Sequence, residues 1–75
     1  MKIYLGADLD FYHPQKERWL AVSLEQPAKL ADLLVRLGIP LGEIHLVVVN
    51  GENATLDAIV TDTDEVKLFS PVGGG

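Results

Sequence analysis

No cysteine occurs in this 75-residue chain, which removes any disulfide framework and any thiolate chemistry. With only His13 and His45 as imidazole donors, a tight structural zinc site is not expected either, and no metal is assigned. No apolar run approaches the roughly 20 residues needed to cross a bilayer. The opening stretch MKIYLGADLD alternates polar and apolar residues instead of following a charged segment with an apolar one, so no signal peptide is expected. With the lack of cysteine, this points to the cytoplasm. Positive charge is scarce as well. Six Lys and Arg stand against eleven Asp and Glu, a net charge of −5, and the basic residues are scattered. A nucleic-acid binder concentrates basic residues on one face, so neither a nucleic acid nor a membrane is an expected partner. The acidity favours solubility and steers the chain toward basic protein surfaces.

What is present is an apolar share of 48%, enough for a folded domain. A chain this short buries only about 60% of its unfolded surface, so its stability margin is thin. From Lys2 to Tyr12 the pattern has period two, with Ile3, Leu5, Ala7, Leu9 and Phe11 on one face, which predicts a strand. His13 to Lys16 reads as a turn, and Arg18 to Leu24 as a second strand, giving an antiparallel hairpin with a short polar link. The period then changes. Leu30, Leu33, Leu34 and Leu37 form a helical stripe, and a helix is predicted over Pro27 to Leu37, with Pro27 in its first turn and Gly38 as its left-handed cap. Ile44 to Val49 is apolar on both faces, as in a central strand. Asn50-Gly51 is a type I′ turn signal. A weak extended piece over Thr55 to Ile59, a polar turn at Thr61 to Asp64 and a last strand over Glu65 to Ser70 complete the chain.

The order β-β-α-β-(β)-β leaves one stable solution, a helix laid across one face of a sheet with the first and last strands paired at its centre. This is an α+β, β-grasp or ubiquitin-like fold, with a mixed four- to five-stranded sheet on one helix. Residues 1–70 form the domain and residues 71–75 a flexible Gly-Gly tail.

Ordinary catalytic signatures are missing. Asp62, Asp64 and Glu65 cluster, but without the spacing of a calcium loop, and read as solvated turn carboxylates. His13 reads as an exposed loop residue and His45 as a sheet-face residue with a local hydrogen bond. Neither has an evident catalytic partner nearby in sequence. Ser23 and Ser70 lack a nucleophile signature, and Gly6 and Gly51 belong to no phosphate-binding loop. A self-contained enzyme is not expected. One surplus remains. The third and last strands are apolar on both faces, whereas one helix covers only one. An exposed patch drawn from Val47, Val49 and Phe69 is one reading, marking a protein interface. A cover formed by the loop from Gly51 to Thr63 is the other.

Two segments carry a family resemblance: VVVNGE, Val47 to Glu52, and DTDEVKLFSPVGGG, Asp62 to Gly75. Together with the helix LADLLVRLGIP they resemble the MoaD/ThiS family of ubiquitin-like sulfur carriers over roughly the last two-thirds of the chain. There, a strand ending in V-N-G is followed about a dozen residues later by an acidic turn, a short strand, prolines and a diglycine terminus. Thr63 stands where that family often has glycine, Ser70 where a second proline is common, and Gly73 makes the ending a triglycine.

The resemblance implies a carrier or co-substrate, possible also as the small subunit of a sulfur-transferring synthase, that binds no cofactor itself. An ubiquitin-activating-like adenylyltransferase uses ATP to convert the Gly75 carboxylate to an acyl-adenylate, and a sulfur donor displaces AMP to leave a thiocarboxylate. A sulfur-acceptor enzyme, the molybdopterin synthase large subunit or a thiazole synthase, takes the sulfur. Side-chain-free Gly74 and Gly75 suit a narrow channel, and Pro71 stiffens the exit from the sheet. From Phe69 to Gly75 the tail reaches on the order of 20 Å. Gly73, Val72, Pro71, Phe69, Val47 and Val49 are the expected partner contacts, on a body that is a monomer when alone. Two alternatives remain open: a protein modifier conjugated through Gly75, and a non-catalytic interaction domain in which the glycines are a linker.

Overall fold

The first and last strands of this computed structural model, which describes residues 1–71, run parallel at the centre of a five-stranded sheet. Strand β1 (Lys2–Leu5) aligns Ile3 with Val66 and Leu5 with Leu68 of β7 (Glu65–Phe69). Parallel neighbours require a crossover connection, and helix α1 (Leu30–Arg36) lies within it. On one side of this pair β2 (Trp19–Ala21) is antiparallel to β1. On the other, β4 (Leu46–Val49) is antiparallel to β7 and β5 (Glu52–Ala54) to β4, giving the order β2-β1-β7-β4-β5. A two-residue ladder joins β3 (Ala28–Lys29) to β6 (Ile59–Val60). This is the expected mixed sheet under one helix.

The leucine stripe decides where the helix lies. Leu30, Leu33 and Leu34 are buried with Ile3, Leu5, Val47, Val66 and Leu68 in a single cluster. The helix C-terminus closes as a Schellman motif. Gly38 N–H donates to Val35 O at 3.1 Å and Ile39 N–H to Leu34 O at 3.0 Å, with Gly38 at φ +80°. Its N-terminus differs from expectation. Pro27 lies outside the helix because Ala28 and Lys29 pair with β6 instead. The first helical N–H groups, of Leu30 and Ala31, then donate to the carbonyls of Ala58 and Leu56, each at 2.9 Å, in place of a side-chain cap.

The long first strand is corrected too. β1 ends at Leu5, whose pairing with Leu68 is the last of its ladder with β7, one residue before β7 itself ends. Gly6 N–H still donates to Leu68 O at 2.8 Å. The chain then turns at Ala7 (φ 53°) into a 3-10 turn over Leu9–Tyr12. Leu9 is buried as its alternation predicts, but Phe11 is exposed. The hairpin link is therefore residues 6–18, not a short polar connection, and its second strand shrinks to Trp19–Ala21. The extended piece placed at Thr55 to Ile59 is instead the two short strands β5 and β6. Asn50 and Gly51 have φ of 51° and 84°, as a type I′ turn requires. Among the described residues, no helix is long and apolar enough to cross a membrane.

Candidate functional site at the outer sheet face and strand β7 exit

Alternation along β7 divides its residues between two environments. Val66 and Leu68 face the helix; Glu65, Lys67 and Phe69 face outward. The register then assembles the outer face. Tyr4 is opposite Trp19 on β2 and Lys67 on β7, and Leu46 and Val48 of β4 are opposite Phe69 and Lys67. Three aromatic rings form a row across three strands. Tyr4 and Trp19 meet edge-on with centroids 5.1 Å apart, and Tyr4 and Phe69 are 6.0 Å apart. Leu46 continues the row on β4. Lys2 Nζ sits 5.4 Å from the Trp19 ring centroid and 3.8 Å from Glu65 Oε2, a charged margin to an apolar strip. Trp19 and Leu46 are each 41% exposed.

The exposed strip is real, but its membership changes. Val47 is only 4% exposed, and Val49 is half-buried against the core. Both stand opposite core residues of β7, Leu68 and Val66. In a strand apolar on both faces, periodicity separates the two sets without saying which faces the helix, and a one-residue shift exchanges them. Leu46 and Val48 take the outward places expected of Val47 and Val49; Tyr4 and Trp19 were not anticipated there. The loop after β5 does not cover the strip. Its Leu56 and Ala58 carbonyls cap the helix on the opposite side.

Phe69 holds its place through Gly6. A Cβ on Gly6 would lie 2.6 Å from Phe69 Cδ1 and 2.9 Å from Leu68 O, so no larger residue fits without displacing the ring or the strand. Beyond Phe69 come buried Ser70 and exposed Pro71. Val72, Gly73, Gly74 and Gly75, and with them the expected flexible tail, lie outside the described residues.

The acidic turn sits at the opposite end of β7 and is structural. Asp64 accepts hydrogen bonds from Asn50 Nδ2 at 2.9 Å and Thr61 N–H at 2.8 Å, which hold its carboxyl below the usual range. Asp62 accepts from Leu24 N–H at 2.8 Å and lies 3.6 Å from the N-terminal ammonium; both contacts lower its pKa, the hydrogen bond most. Positive φ is confined, among the described residues, to Ala7, Lys16, Gly38, Asn50 and Gly51, so Thr63 occupies its turn without the conformation that calls for glycine.

His13 also departs from expectation. It is 6% exposed, accepts from Gln15 N–H at Nδ1 (2.9 Å) and, with that tautomer, donates from Nε2 to Trp19 O (3.0 Å). It ties the 6–18 connection to β2. His45 is exposed, and its backbone N–H donates to Phe69 O at 2.8 Å.

No curated protein matches the chain at a significant level. The profile of the ThiS family matches residues 12–75, beginning after β1 and covering the helix, the V-N-G turn, β7 and the terminal glycines. With the β-grasp sheet and its single helix, that match places the chain in the ThiS family of MoaD/ThiS-type ubiquitin-like sulfur carriers.

Proposed function

We propose that this chain carries sulfur as a thiocarboxylate on Gly75, for molybdopterin (molybdenum or tungsten cofactor) or thiamine thiazole biosynthesis. The observation that carries this reading is the family match running through Gly75. A carboxylate is a poor electrophile and needs activation. Attack of a Gly75 carboxylate oxygen on the α-phosphorus of ATP, in an ubiquitin-activating-like partner, releases pyrophosphate and forms the acyl-adenylate. A sulfur nucleophile then adds to the activated carbonyl and AMP leaves. ATP is held by the partner, and the carrier supplies only the carboxylate and a docking body.

The aromatic row supports this division of labour. It is an exposed apolar strip that includes Phe69, two residues before Pro71. A partner seated on it lies beside the start of the segment that leads to Gly75. Aromatic anchors of this kind carry a large share of interface energy.

The test is intact mass spectrometry after incubation with ATP, a candidate adenylyltransferase and a sulfur donor. Exchange of one oxygen for sulfur is expected on the wild-type chain, and none on a chain extended by one residue after Gly75. Sulfur incorporation into the extended chain, or a higher-mass conjugate to lysine in place of the thiocarboxylate, overturns the reading.

A further inference from the structure

An asparagine followed by glycine is open to attack by its own backbone. The amide nitrogen of the glycine closes on the side-chain carbonyl carbon, and no Cβ stands in the way. Asn50-Gly51 is such a pair, exposed at the tip of the β4–β5 turn. A Cβ built on Gly51 would meet nothing within 4 Å, so no neighbouring group shields the turn on that side. Sequence and exposure both favour the reaction.

The hydrogen bonds of the side chain oppose it. Asn50 Nδ2 donates to Asp64 Oδ1 at 2.9 Å, and Asn50 Oδ1 accepts from Glu65 N–H at 2.9 Å. One partner is an acceptor and the other a donor, which fixes the amide in a single orientation. The main chain is held to the same strand, with Asn50 N–H donating to Glu65 O at 2.8 Å. Attack by Gly51 N draws the side-chain carbon back over the turn, away from Asp64 and Glu65. The amide nitrogen is also the leaving group, so its bond to Asp64 is lost in any case.

We propose that Asn50 is a latent deamidation site, held shut in the folded chain by its bridge to Asp64 and Glu65 and reactive when that bridge opens. In the reaction Gly51 N gives its proton to hydroxide and bonds to Asn50 Cγ. The Cγ–Nδ2 bond breaks, and ammonia leaves with a proton taken from water. Water then opens the cyclic imide at either carbonyl, leaving aspartate or isoaspartate at position 50. The aspartate product puts a carboxylate where Nδ2 donated, facing the carboxylate of Asp64. The isoaspartate product adds a carbon to the backbone of the turn and displaces the Val49–Glu52 pair that closes it. Either product removes the bridge that protected the amide, so one opening event becomes a permanent separation of the β4–β5 turn from the start of β7. Nothing in this depends on the terminal glycines.

The experiment incubates the full chain at mildly alkaline pH, folded and, in parallel, unfolded in urea. Mass spectrometry follows the exchange of the amide NH2 for OH, and peptide mapping assigns it to Asn50 or to the other asparagine, Asn53. Deamidation at Asn50 is expected to be at least about tenfold slower in the folded chain. Equal rates overturn the proposal. Amide hydrogen exchange of the wild type then identifies the shield. The Glu65 N–H is bonded to Asn50 Oδ1, so the same opening exposes both, and its exchange should be slowed by the same factor as deamidation, within about threefold. Fast exchange at Glu65 beside slow deamidation places the shield elsewhere and overturns the bridge. Two variants separate the bridge from overall stability. Asp64→Ala removes the partner of Nδ2, whereas Asp62→Ala removes the bond to Leu24 N–H at the same end of the sheet. After subtraction of the unfolded fraction read from urea curves, the rate should rise about three- to tenfold in Asp64→Ala and stay within about twofold of wild type in Asp62→Ala. No such rise in a folded Asp64→Ala chain, or the same rise in both variants, overturns the bridge as the shield.

Discussion

Asn50 and Asp64 join two turns that are distant in the chain. The Asn50 Nδ2 donates to Asp64 Oδ1 at 2.9 Å, while Asn50 Oδ1 accepts from Glu65 N–H at 2.9 Å. One amide thus ties the β4–β5 turn to the start of β7. The V-N-G and acidic-turn segments that carry the family resemblance are two halves of one contact. Asn50→Gly keeps the positive φ and deletes both bonds, so a loss of about 1–2 kcal/mol is expected in urea unfolding. Asn50→Ala adds the cost of an alanine at φ 51°, roughly another 1 kcal/mol. A glycine variant as stable as wild type would show the bridge to be inert.

Acid should weaken the same end of the sheet. Both Asp62 and Asp64 have pKa values lowered from the ordinary 3.8. A group with a depressed folded pKa stabilises fully above its unfolded pKa and loses that contribution as pH falls through the folded one. The urea midpoint is therefore expected to be insensitive to these two groups above about pH 5 and to fall below about pH 4. Asp64→Asn should flatten the acid limb while lowering the midpoint at neutral pH. An acid limb unchanged in this variant would assign the effect to other carboxylates.

Gly6→Ala tests the close approach to Phe69. The added methyl meets both a ring carbon and a backbone oxygen. Overpacking of this kind costs about 1–3 kcal/mol. Because Phe69 neighbours Tyr4, and Tyr4 neighbours Trp19, the near-ultraviolet circular dichroism of the aromatic row should change as well. A variant with unaltered stability and spectrum would mean that the ring has room to move aside.

The two sides of the domain can be separated by charge. Leu46→Asp places a carboxylate in the apolar strip, whereas Val35→Asp places one on the outer surface of the helix, where Val35 is 63% exposed. Both sites tolerate polarity in the free domain, so thermal midpoints should move by only a few degrees. In adenylation kinetics Leu46→Asp should raise KM by at least about tenfold and Val35→Asp should leave it unchanged. The reverse pattern would place docking on the helix.

How much was legible follows the range of the interactions. The helical stripe, the Gly38 cap, the Asn50-Gly51 turn and the central pairing of the end strands follow from local periodicity, turn chemistry and the need to bury one sheet face. Ala7, Leu9 and Phe11 keep a strand period after the strand has ended, because the chain turns out of the sheet at Ala7 (φ 53°) into a 3-10 turn, and an alternation of residue types does not register a turn of the backbone. Val47 and Leu46 are both apolar, so only the register with Leu68 and Phe69 tells them apart. His13 looked exposed beside Pro14, yet Trp19 O and Gln15 N–H hold it inside the connection. Asn50–Asp64 and Gly6–Phe69 are contacts across the chain, visible only once the sheet is assembled.

The strand that leads to the terminal glycines lies between two others, β1 and β4, and runs alongside β1 in the same direction. On the proposed function, an enzyme drawing on those glycines would pull β7 lengthwise, loading the hydrogen bonds of both flanking ladders together in shear. An edge strand would peel away one bond at a time. The topology makes the body a mechanical anchor, with a sheet that resists a pull on its C-terminal end.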